Sequence, residues 1–500
     1  MKRNPDALAG RTFDLLIIGG GITGAGVALD ASLRGFRVAL IDKGDFASGT
    51  SSVSSKLIHG GLRYLEHGGF HLVYEALHER GVLLQNAPHL VRPLRFILPF
   101  YRGGRLAPWK WRIGLTFYDL LAGRDNIRRS RPLSGPALCR EFPQLHGSGL
   151  EGGAEFFDAQ MDDSRLCIEV LKTAAAQGAV LANYVEVTTF ELRQGELAGV
   201  RVQDHVGKRE LLVRARQILN ATGPWVDSVC RLAGETGGPK LQPTKGVHII
   251  VPARIRQAAF LLLHPQDGRV LFVIPWMGKT LIGTTDSFTQ EGPDNLSVQP
   301  DEIAYLLEAH NHYLNPPLKA EDVQGSFVGL RPLIRSVSGQ PSSLSREFHL
   351  FESASGLLSA AGGKYTTYRR MAQEITDVVA RRLGKPRRCR TKHFLLDGAP
   401  PELGQECVAN ETNALEGFGL SPDSARHLVN RYGRRARDVA EYLKQDPALG
   451  RPIVPGEPDL RVEIPYQREH EMALFRDDHL LRRMRLGMYH REVMNGLFSS

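Results

Sequence analysis

The stretch FDLLIIGGGITGAGVALDASLRGFRVALIDKGD, residues Phe13–Asp45, contains the pattern that decides the fold. Its apolar run LLII predicts a buried parallel strand, the residues after the glycines predict a helix, and FRVALID predicts a second strand. Gly19, Gly21 and Gly24 stand in GxGxxG spacing at the first turn. The first glycine permits a tight turn, the second lets a pyrophosphate approach the backbone, and the third lets helix and strand pack closely. The segment therefore predicts a βαβ unit that binds a dinucleotide.

An acidic residue completes this signature. Asp42 closes the second predicted strand, at roughly the 20-residue separation expected for a carboxylate that binds the ribose hydroxyls. The start of the predicted helix faces the phosphates, where its free N–H groups and dipole favour negative charge. Both FAD and NAD remain open from this segment alone.

Length and composition exclude some classes of protein. The chain has 500 residues, of which 42% are hydrophobic and 23% charged, so it is expected to form two or three globular domains and not a fibre or a disordered chain. Its formal net charge is +9, which favours an anionic partner such as a phosphorylated substrate, a lipid surface or a nucleic acid. The basic runs lack an aromatic-rich reader, so no nucleic-acid partner is expected.

Neither a metal site nor a membrane span is expected. The five cysteines fall in no CxxC spacing, and the HNH run at His310–His312 lies in a helix-like segment that is expected to face solvent. The longest apolar run, AAFLLL at Ala258–Leu263, is far below the ~18 residues that cross a membrane. No cleaved signal peptide is expected, because Asp6 and Asp14 interrupt the first segment.

Six further motifs occur in order along the chain. They are TSSVSSKLIHGGLRYLE (Thr50–Glu66), NATGPWVD (Asn220–Asp227), KGVHIIVP (Lys245–Pro252), VIPWMGKTLIGTTD (Val273–Asp286), GLRPLI (Gly329–Ile334) and GGKYTTYRRMA (Gly362–Ala372). With the first stretch they closely resemble the FAD-dependent, respiratory glycerol-3-phosphate dehydrogenase family, particularly its bacterial aerobic members. The resemblance runs from about Phe13 to about Gly487. It implies oxidation of sn-glycerol 3-phosphate to dihydroxyacetone phosphate, with two electrons passed from flavin to a quinone.

The residues that would bind FAD follow from their chemistry and from this resemblance. The hydroxyls of Thr50–Ser52 can donate hydrogen bonds to phosphate or ribityl oxygens, and Gly60 and Gly61 leave room for a flat ring against the backbone. By resemblance, Lys56 and the backbone of Gly60–Leu62 touch FAD. The predicted FAD-binding residues are Gly19, Gly21, Gly24, Asp42, Thr50, Ser51, Ser52, Lys56, Gly60, Gly61, Leu62, Val185, Ala221, Thr222, Gly223, Gly363, Lys364 and Thr366.

Oxidation of a secondary alcohol requires hydride transfer to the flavin and a base for the hydroxyl proton. His248 in KGVHIIVP is the candidate base, because the unperturbed pKa of histidine lies near the working pH, and His59 is its rival. Arg331 offers fixed donors to phosphate and to a developing alkoxide. By resemblance, Lys364 lies near flavin and substrate.

Three further residues are predicted to contact the substrate. By resemblance, Arg63 and Tyr64 turn toward it, and Thr285 in IGTTD either orients the substrate or closes a turn.

The predicted fold class is α/β, with three units. A Rossmann-like FAD-binding domain comprises 1–75, 155–244 and 352–390, because helix and strand patterns there extend the first βαβ unit. A substrate-binding domain with a mixed or antiparallel sheet comprises 76–154 and 245–351. A small C-terminal helical domain comprises 391–500, including two long candidate helices, SPDSARHLVNRYGRRARDVAEYL and FRDDHLLRRMRLGMYHREVMNGLF.

Two alternative functions stay open. One is an oxidase of the same substrate that uses oxygen, although the extra central insertion usual in family oxidases is not seen. The other is a non-catalytic flavin-binding sensor or anchor, against which His248, Arg331 and Lys364 argue.

A quinone acceptor implies contact with a membrane. The chain is expected to be cytoplasmic and peripheral on the inner face of the cell membrane, attracted by clustered cations. The oligomeric state stays open, with a homodimer as one option. The clusters are Arg381, Arg382, Lys385, Arg387, Arg388, Arg390 and Lys392, then Arg434, Arg435 and Arg437, then Arg482, Arg483 and Arg485.

Overall fold

The computed structural model describes residues 1–104, 108–335, 348–400 and 405–496, without the side chains of residues 63, 66–67, 405–407 and 495–496. The strands are β1 (Thr12–Ile18), β2 (Val38–Ile41), β3 (Leu57–Ile58), β4 (Val91–Tyr101), β5 (Arg131–Ser134), β6 (Leu150–Met161), β7 (Val180–Ala182), β8 (Val185–Arg193), β9 (Glu196–Asp204), β10 (Arg209–Asn220), β11 (Thr244–Pro252), β12 (Ala259–Leu263), β13 (Val270–Trp276), β14 (Lys279–Gly283), β15 (Ser287–Phe288), β16 (Gly325–Arg331), β17 (Phe348–Glu352) and β18 (Leu358–Gly362). The α-helices are α1 (Ile22–Leu33), α2 (Phe70–Asn86), α3 (Pro108–Ala122), α4 (Gly135–Glu141), α5 (Asp163–Ala176), α6 (Val226–Leu232), α7 (Pro300–Tyr313), α8 (Tyr368–Arg382), α9 (Gln405–Glu416), α10 (Pro422–Tyr432), α11 (Ala436–Ala440), α12 (Glu463–Glu471) and α13 (Val493–Gly496).

The first sheet has a parallel centre in the order β18-β10-β1-β2-β7. All residues of β1 except Thr12 are buried, as the continuous apolar run predicts for a strand covered on both faces. β17 pairs antiparallel with β18, and β9 joins the sheet antiparallel to β10. Because parallel strands point the same way, Ile18, Asn220 and Gly362 end at one edge of the sheet. The Rossmann-like prediction is confirmed.

The glycines of the first turn allow close packing. A Cβ on Gly24 would lie 2.0 Å from the carbonyl oxygen of Gly19, and a Cβ on Gly26 would lie 2.8 Å from the ring of Tyr368 on α8. Since neither glycine has a side chain, α1 can pack tightly on both the preceding turn and α8.

The second sheet is mixed and mostly antiparallel. Its strand order is β15-β11-β14-β13-β12-β4-β6-β3, with β16 also paired to β11 and β5 to β6. Only β12 and β4 run parallel among its described pairs. Leu306 and Leu307 of α7 are buried in one core with Val247 and Ile249 of β11, so α7 covers one face of the sheet. The prediction of a mixed or antiparallel sheet is confirmed.

Three strands lie in a different sheet from the one that the predicted domain ranges imply. β3 and β6 belong to the second sheet, and β17 belongs to the first. β6 pairs with β4 along nearly its whole length, from Leu150 to Met161, so the predicted boundary at residue 154 lies within a paired strand. The predicted ranges followed changes in composition, whereas strand membership depends on pairings between distant segments.

The C-terminal segment is helical but more broken than predicted. The second candidate helix consists of a π-helix at Asp478–Arg483, a 3-10 turn at Leu486–Met488 and the short α13. Arg485 between them has φ +77°, a left-handed conformation that interrupts helical geometry. The side chains of Arg482, Arg483 and Arg485 turn inward and form buried or nearly buried ion pairs.

Candidate active site

A cavity of about 670 Å³ lies between the two sheets, at the carboxyl ends of β1, β10 and β18. Ligands of open α/β sheets bind at this edge. The cavity walls come from the glycine-rich turn, from the segment after Ser48, from β11 and β16, and from Gly362–Thr366. Segments far apart in the sequence therefore meet around one space.

The glycine-rich turn forms one end of the cavity. Gly19 has φ +111°, and a Cβ there would lie 2.6 Å from the carbonyl oxygen of Ala221. Gly21 lines the cavity just before α1, whose first N–H, at Ile22, donates to Ser51 Oγ at 2.9 Å. The start of α1 therefore lies at the cavity with a backbone that an anionic pyrophosphate can approach.

Asp42 lies beside this turn at the end of β2. Its carboxylate accepts hydrogen bonds from the N–H groups of Gly20 at 2.6 Å and Gly44 at 2.9 Å. Burial raises the pKa of Asp42 to about 6, against the opposing effect of these two N–H groups. At neutral pH the group is a carboxylate, which can accept hydrogen bonds from ribose hydroxyls.

Most of the predicted FAD-binding residues line the cavity, and six do not. Those on the lining are Gly19, Gly21, Asp42, Thr50, Ser51, Val185, Ala221, Thr222, Gly223, Gly363, Lys364 and Thr366. Those outside it are Gly24, Ser52, Lys56, Gly60, Gly61 and Leu62. Gly24 acts through packing, and the N–H of Gly60 donates to Tyr118 Oη at 2.9 Å, away from the cavity.

Lys56 lies outside the cavity for an electrostatic reason. Its Nζ is fully buried and lies 2.7 Å from Asp163 Oδ2 and 2.5 Å from the carbonyl oxygen of Ser52. Burial lowers the pKa of Lys56 to about 8, although Asp163 opposes the shift. A buried carboxylate competes for this ammonium, so Lys56 organises the loop instead of facing the cavity.

His248 lies on β11 with its ring against the cavity. Its strand neighbours are Phe327, whose ring stacks on the imidazole at 4.9 Å between centroids and 11°, and Gly283, where a Cβ would lie 2.1 Å from the ring. Nε2 lies 2.9 Å from Ser55 Oγ. Burial and the charges of Arg331 and Lys56 lower the pKa of His248 to about 3, so the ring is neutral at pH 7. A neutral imidazole can accept a proton.

Arg331, at the end of β16, lines the same cavity. Its Nη1 lies 2.9 Å from Asp286 Oδ1, and its Nη2 donates to Thr284 Oγ1 at 2.9 Å. The guanidinium is therefore held in one orientation at the cavity wall. Thr285, predicted to contact substrate or close a turn, is buried and accepts the N–H of Val247 at 2.9 Å, which is the turn-closing arrangement.

Lys364 and Tyr64 contact each other at the cavity wall. Nζ of Lys364 lies 3.8 Å from the centroid of the Tyr64 ring, within the range of a cation–π contact, and both residues line the cavity. Thr366 pairs with the backbone of His59, which places that second histidine on the lining too. Arg63 lies in the same short helical turn as Tyr64, but its side chain is outside the described residues.

Comparison with known proteins gives the family. The model "FAD dependent oxidoreductase" matches residues 14–369, and "C-terminal domain of alpha-glycerophosphate oxidase" matches residues 389–497. The aerobic glycerol-3-phosphate dehydrogenase of Staphylococcus haemolyticus is 37% identical over 97% of this chain and 88% of its own. That of Bacillus subtilis is 38% identical over 95% and 87%. The chain belongs to the aerobic glycerol-3-phosphate dehydrogenase family.

Solved structures agree with this family. A glycerol-3-phosphate dehydrogenase from Bacillus halodurans, in complex with FAD, has a TM-score of 0.81 and 31% identity, covering 98% of this chain and 89% of that one. An L-α-glycerophosphate oxidase from Mycoplasma pneumoniae, at 16% identity and a TM-score of 0.60 over 77% and 99%, shares the fold.

The residues that line the cavity of this family member fit FAD. The glycine turn and the start of α1 suit the pyrophosphate, and the Asp42 carboxylate suits the ribose. At the other end, Gly362 and Gly363, with φ +78° and +90°, leave only backbone where a flat ring can lie. FAD, which the family uses as cofactor, is therefore the cofactor assigned to this cavity.

Sequence reasoning did not single out several residues on the lining, among them Ser55, Lys43, Trp225 and Asp294. Ser55 contacts His248, while Lys43, Trp225 and Asp294 contact one another at the nucleotide end. Trp225 Nε1 donates to Asp294 Oδ2 at 3.0 Å, and Lys43 Nζ lies 3.1 Å from Asp294 Oδ1. Ser55 and Trp225 stood inside quoted motifs, so their motifs could have indicated them. No sequence motif indicated Asp294, because it lies in the loop after β15 and outside the quoted stretches.

One group of candidate metal ligands lies in the C-terminal helices. Atoms of His427, Asp459 and Glu463 lie within 4.8 Å of one another. Arg431 is paired with both carboxylates, at 2.7 Å to Glu463 Oε2, so a cation of the protein already occupies this position. His310, expected to face solvent, is instead buried in α7, and its Nδ1 lies 3.0 Å from Asn311 Oδ1.

Proposed function

We propose that this protein oxidises sn-glycerol 3-phosphate to dihydroxyacetone phosphate and passes the electrons to a membrane quinone. The observation that carries the proposal is that His248, Arg331 and Lys364 line the same cavity as the dinucleotide-binding glycines. Bound FAD would supply the acceptor for the hydride that leaves the secondary alcohol. The side chains must then bind an anionic substrate and remove one proton.

His248 is suited to remove that proton. The ring is neutral, it lies at the cavity, and stacking on Phe327 together with the contact to Ser55 fixes its orientation. Burial, followed by the positive charges of Arg331 and Lys56, lowers the pKa of the ring, so the ring stays unprotonated until substrate brings its own negative charge. An anionic substrate would raise the affinity of the ring for a proton as it binds.

Arg331 and Lys364 supply the positive charge that a phosphorylated alcohol requires. A guanidinium held by Asp286 and Thr284 offers hydrogen-bond donors in a fixed plane, which suits phosphate or a developing alkoxide. Lys364 adds an ammonium to the same cavity, next to Tyr64. These two positive charges would hold the anionic substrate in the cavity that also contains the base.

Arg331→Ala is expected to raise KM for glycerol 3-phosphate and to lower kcat. Loss of a charged hydrogen bond costs about 1.5–3 kcal/mol, or roughly tenfold to 150-fold in kcat/KM. The variant would also remove the positive charge that lies 2.9 Å from the Asp286 carboxylate. Steady-state kinetics measure both constants, with Arg331→Lys as the control that keeps the charge and loses the planar fork. Unchanged kcat/KM in Arg331→Ala would remove Arg331 from the substrate site.

A dye-reduction assay tests the proposed activity. Purified protein should reduce a redox dye only when glycerol 3-phosphate is present, and an oxygen electrode in the same assay should record little oxygen consumption. Dye reduction without substrate dependence would favour the binding or sensor alternative. Oxygen uptake at the rate of substrate oxidation would favour the oxidase alternative and would contradict a quinone acceptor.

Peripheral membrane association is supported by an exposed apolar face on α2 and α3. Four residues of α3 recur at helical spacing and point outward, whereas Trp111, Leu115 and Tyr118 point into the core. Leu120 is 72% exposed and Trp109 is 62% exposed. The members of this α2–α3 face are Phe70, Tyr74, Trp109, Ile113, Phe117 and Leu120. An amphipathic helix of this kind lies in a lipid interface.

The charge around this face suits an anionic leaflet. Lys110 and Arg112 are exposed on α3, and Nζ of Lys110 lies 5.6 Å from the centroid of the Trp109 ring. Tryptophan beside a cation is typical of a protein surface at the headgroup level. Among the described residues, no helix is both long and apolar enough to cross a membrane.

The structure removes one of the predicted cationic clusters from the surface. Arg482, Arg483 and Arg485 are directed into ion pairs with Asp45, Asp162 and Asp163, so they cannot face lipid. In a second cluster, Arg435 and Arg437 are paired with Asp397 and Glu411. The cations at Arg381–Lys392 stay largely exposed. Hydrophobic insertion of the α2–α3 face thus becomes the stronger contribution to docking.

A Trp109→Ser, Leu120→Ser double variant is expected to bind anionic liposomes at least tenfold more weakly than the wild type. Full burial of one large apolar side chain contributes about 1.5–3 kcal/mol, so loss of two such side chains is enough to weaken liposome binding at least tenfold. Flotation at low and high salt measures the binding, and wild-type binding should persist in part at high salt. Leu192→Ser, at a residue 57% exposed on β8, is the matched control. Equal flotation of both variants would contradict docking through this face.

A further inference from the structure

The segment Thr50–Lys56 carries the residue that contacts the candidate base. It runs from the FAD end of the cavity to β3, and Ser55 lies on its cavity side. Ser55 Oγ lies 2.9 Å from His248 Nε2. His248 Nδ1 is buried and has no hydrogen-bond partner among the described residues. Within the described chain, Ser55 is therefore the residue that hydrogen-bonds the imidazole.

The residues on either side of Ser55 are anchored to one buried carboxylate. Asp163 Oδ2 accepts hydrogen bonds from the N–H of Ser54 at 3.0 Å, from its hydroxyl at 2.7 Å and from Lys56 Nζ at 2.7 Å. Both side chains of the Lys56–Asp163 pair are fully buried. Ser55 is thus fixed from both sides while its own hydroxyl stays at the cavity.

The C-terminal helices hold this carboxylate from the other side. The guanidinium of Arg485 pairs with Asp163 Oδ1 and lies 3.0 Å from Asp162 Oδ1. It also donates to the carbonyl oxygen of Ser52 at 3.1 Å. Arg485 is 1% exposed, so these contacts are shielded from water and are not weakened as surface pairs are. Arg485 therefore contacts Asp163, and Asp163 in turn binds Ser54 and Lys56. Ser55 lies between these two residues in the sequence and contacts His248.

We propose that Ser55 is a positioning residue for His248, and that Arg485 of the C-terminal domain holds Ser55 in place through Asp163. The inference rests on the proposed function, in which His248 takes the proton of the substrate hydroxyl. In the neutral ring the Ser55 hydroxyl donates to the lone pair of His248 Nε2. When Nε2 takes the proton of the substrate hydroxyl, the Ser55 hydroxyl turns, and its oxygen accepts a hydrogen bond from the imidazolium N–H. The C-terminal domain thereby contributes to proton removal although none of its described residues lines the cavity.

Ser55→Ala is expected to lower kcat roughly tenfold or more, because the imidazolium loses a charge-assisted hydrogen bond. KM and flavin content should stay within about twofold, since Ser55 is not assigned to bind phosphate or FAD. The acid limb of the kcat/KM profile should move to lower pH, because the base loses its stabilised charged form. Ser55→Thr, which keeps the hydroxyl, should restore most of kcat, and Ser287→Ala, at an exposed serine of β15, should behave as the wild type.

The link to the C-terminal domain is tested by Arg485→Lys and Ser54→Ala. Each should lower kcat and shift the pH profile in the same direction as Ser55→Ala. Each should also add little when combined with Ser55→Ala, because the residues act through one contact. Ser54→Ala removes one hydroxyl from a half-buried residue, so the protein should still fold. Its kcat and pH profile therefore test the contact through Asp163 even if Arg485→Lys fails to fold.

Two results would overturn the inference. Wild-type kcat and pH profile in Ser55→Ala would reject its positioning role, and full additivity of Ser54→Ala with Ser55→Ala would reject the link through Asp163. Failure of the proposed function has a different signature. In that case the wild-type flavin would not be reduced by glycerol 3-phosphate, so the wild-type measurement separates the two.

Discussion

His248→Ala is expected to lower kcat for glycerol 3-phosphate by about 100-fold or more, while the purified protein keeps its flavin. A positioned general base contributes about 10²–10⁴-fold to the rate of a proton transfer. The side chain lies on β11 of the second sheet, beside Phe327 and Gly283, whereas the glycine turn that suits the pyrophosphate follows β1 of the first sheet. Flavin absorbance per protein gives the cofactor content, and steady-state kinetics from acid to alkaline pH give the rate.

The rival histidine supplies the control for this result. His59 also lines the cavity, but the hydroxyl of Thr366 fixes its backbone, and its ring packs edge-on against Phe272 at 6.2 Å. His59→Ala is expected to cost less in kcat than His248→Ala. Wild-type kinetics of His248→Ala across the pH range would show that another group removes the proton.

Gly21→Leu is expected to abolish FAD binding. Gly21 lines the cavity directly before α1, and even a Cβ at this position would lie 3.2 Å from Ser51 Oγ. A leucine side chain would therefore displace Ser51 or occupy the space of the pyrophosphate. The purified variant should be colourless, and added FAD should not be retained on gel filtration.

Gly238→Leu is the matched control for this variant. A Cβ on Gly238 meets no atom within 4 Å, so the same substitution has room there, and the protein should purify yellow. Circular dichroism would establish that Gly21→Leu is folded. A folded Gly21→Leu protein with full flavin content would contradict the assignment of the glycine turn to the pyrophosphate.

Local patterns were enough to predict the nucleotide-binding end. Gly19, Gly21, Gly24 and Asp42 lie within one βαβ unit, so their spacing in the sequence fixes their spacing in the fold. The family motifs likewise predicted that His248, Arg331 and Lys364 belong to one site, and the structure places all three on one cavity. The structure does not test the chemical role of each, which remains a prediction.

Pairings between distant segments could not be read from the sequence. Lys56 was predicted to touch FAD, but Asp163, more than 100 residues later, draws its ammonium away from the cavity. Similarly, the run that contains Arg482, Arg483 and Arg485 has the composition of a basic surface cluster. Three aspartates from the FAD-binding half of the chain turn it into a buried network.

The α2–α3 face was missed for a related reason. The sequence shows apolar residues at helical spacing on α3, which is also what a buried helix requires. Only the fold reveals that Trp111 and Tyr118 face the core while Trp109 and Leu120 face outward. Membrane association was therefore predicted from the quinone acceptor and the clustered cations, without this face.

An absorption spectrum of the pure protein, recorded anaerobically before and after addition of glycerol 3-phosphate, shows whether this substrate reduces the bound flavin. We expect the oxidised flavin absorbance to disappear within the mixing time when glycerol 3-phosphate is added, and to stay when glycerol, which lacks the phosphate, is added. If the protein holds FAD and is bleached by dithionite but stays yellow with glycerol 3-phosphate, it does not oxidise this substrate.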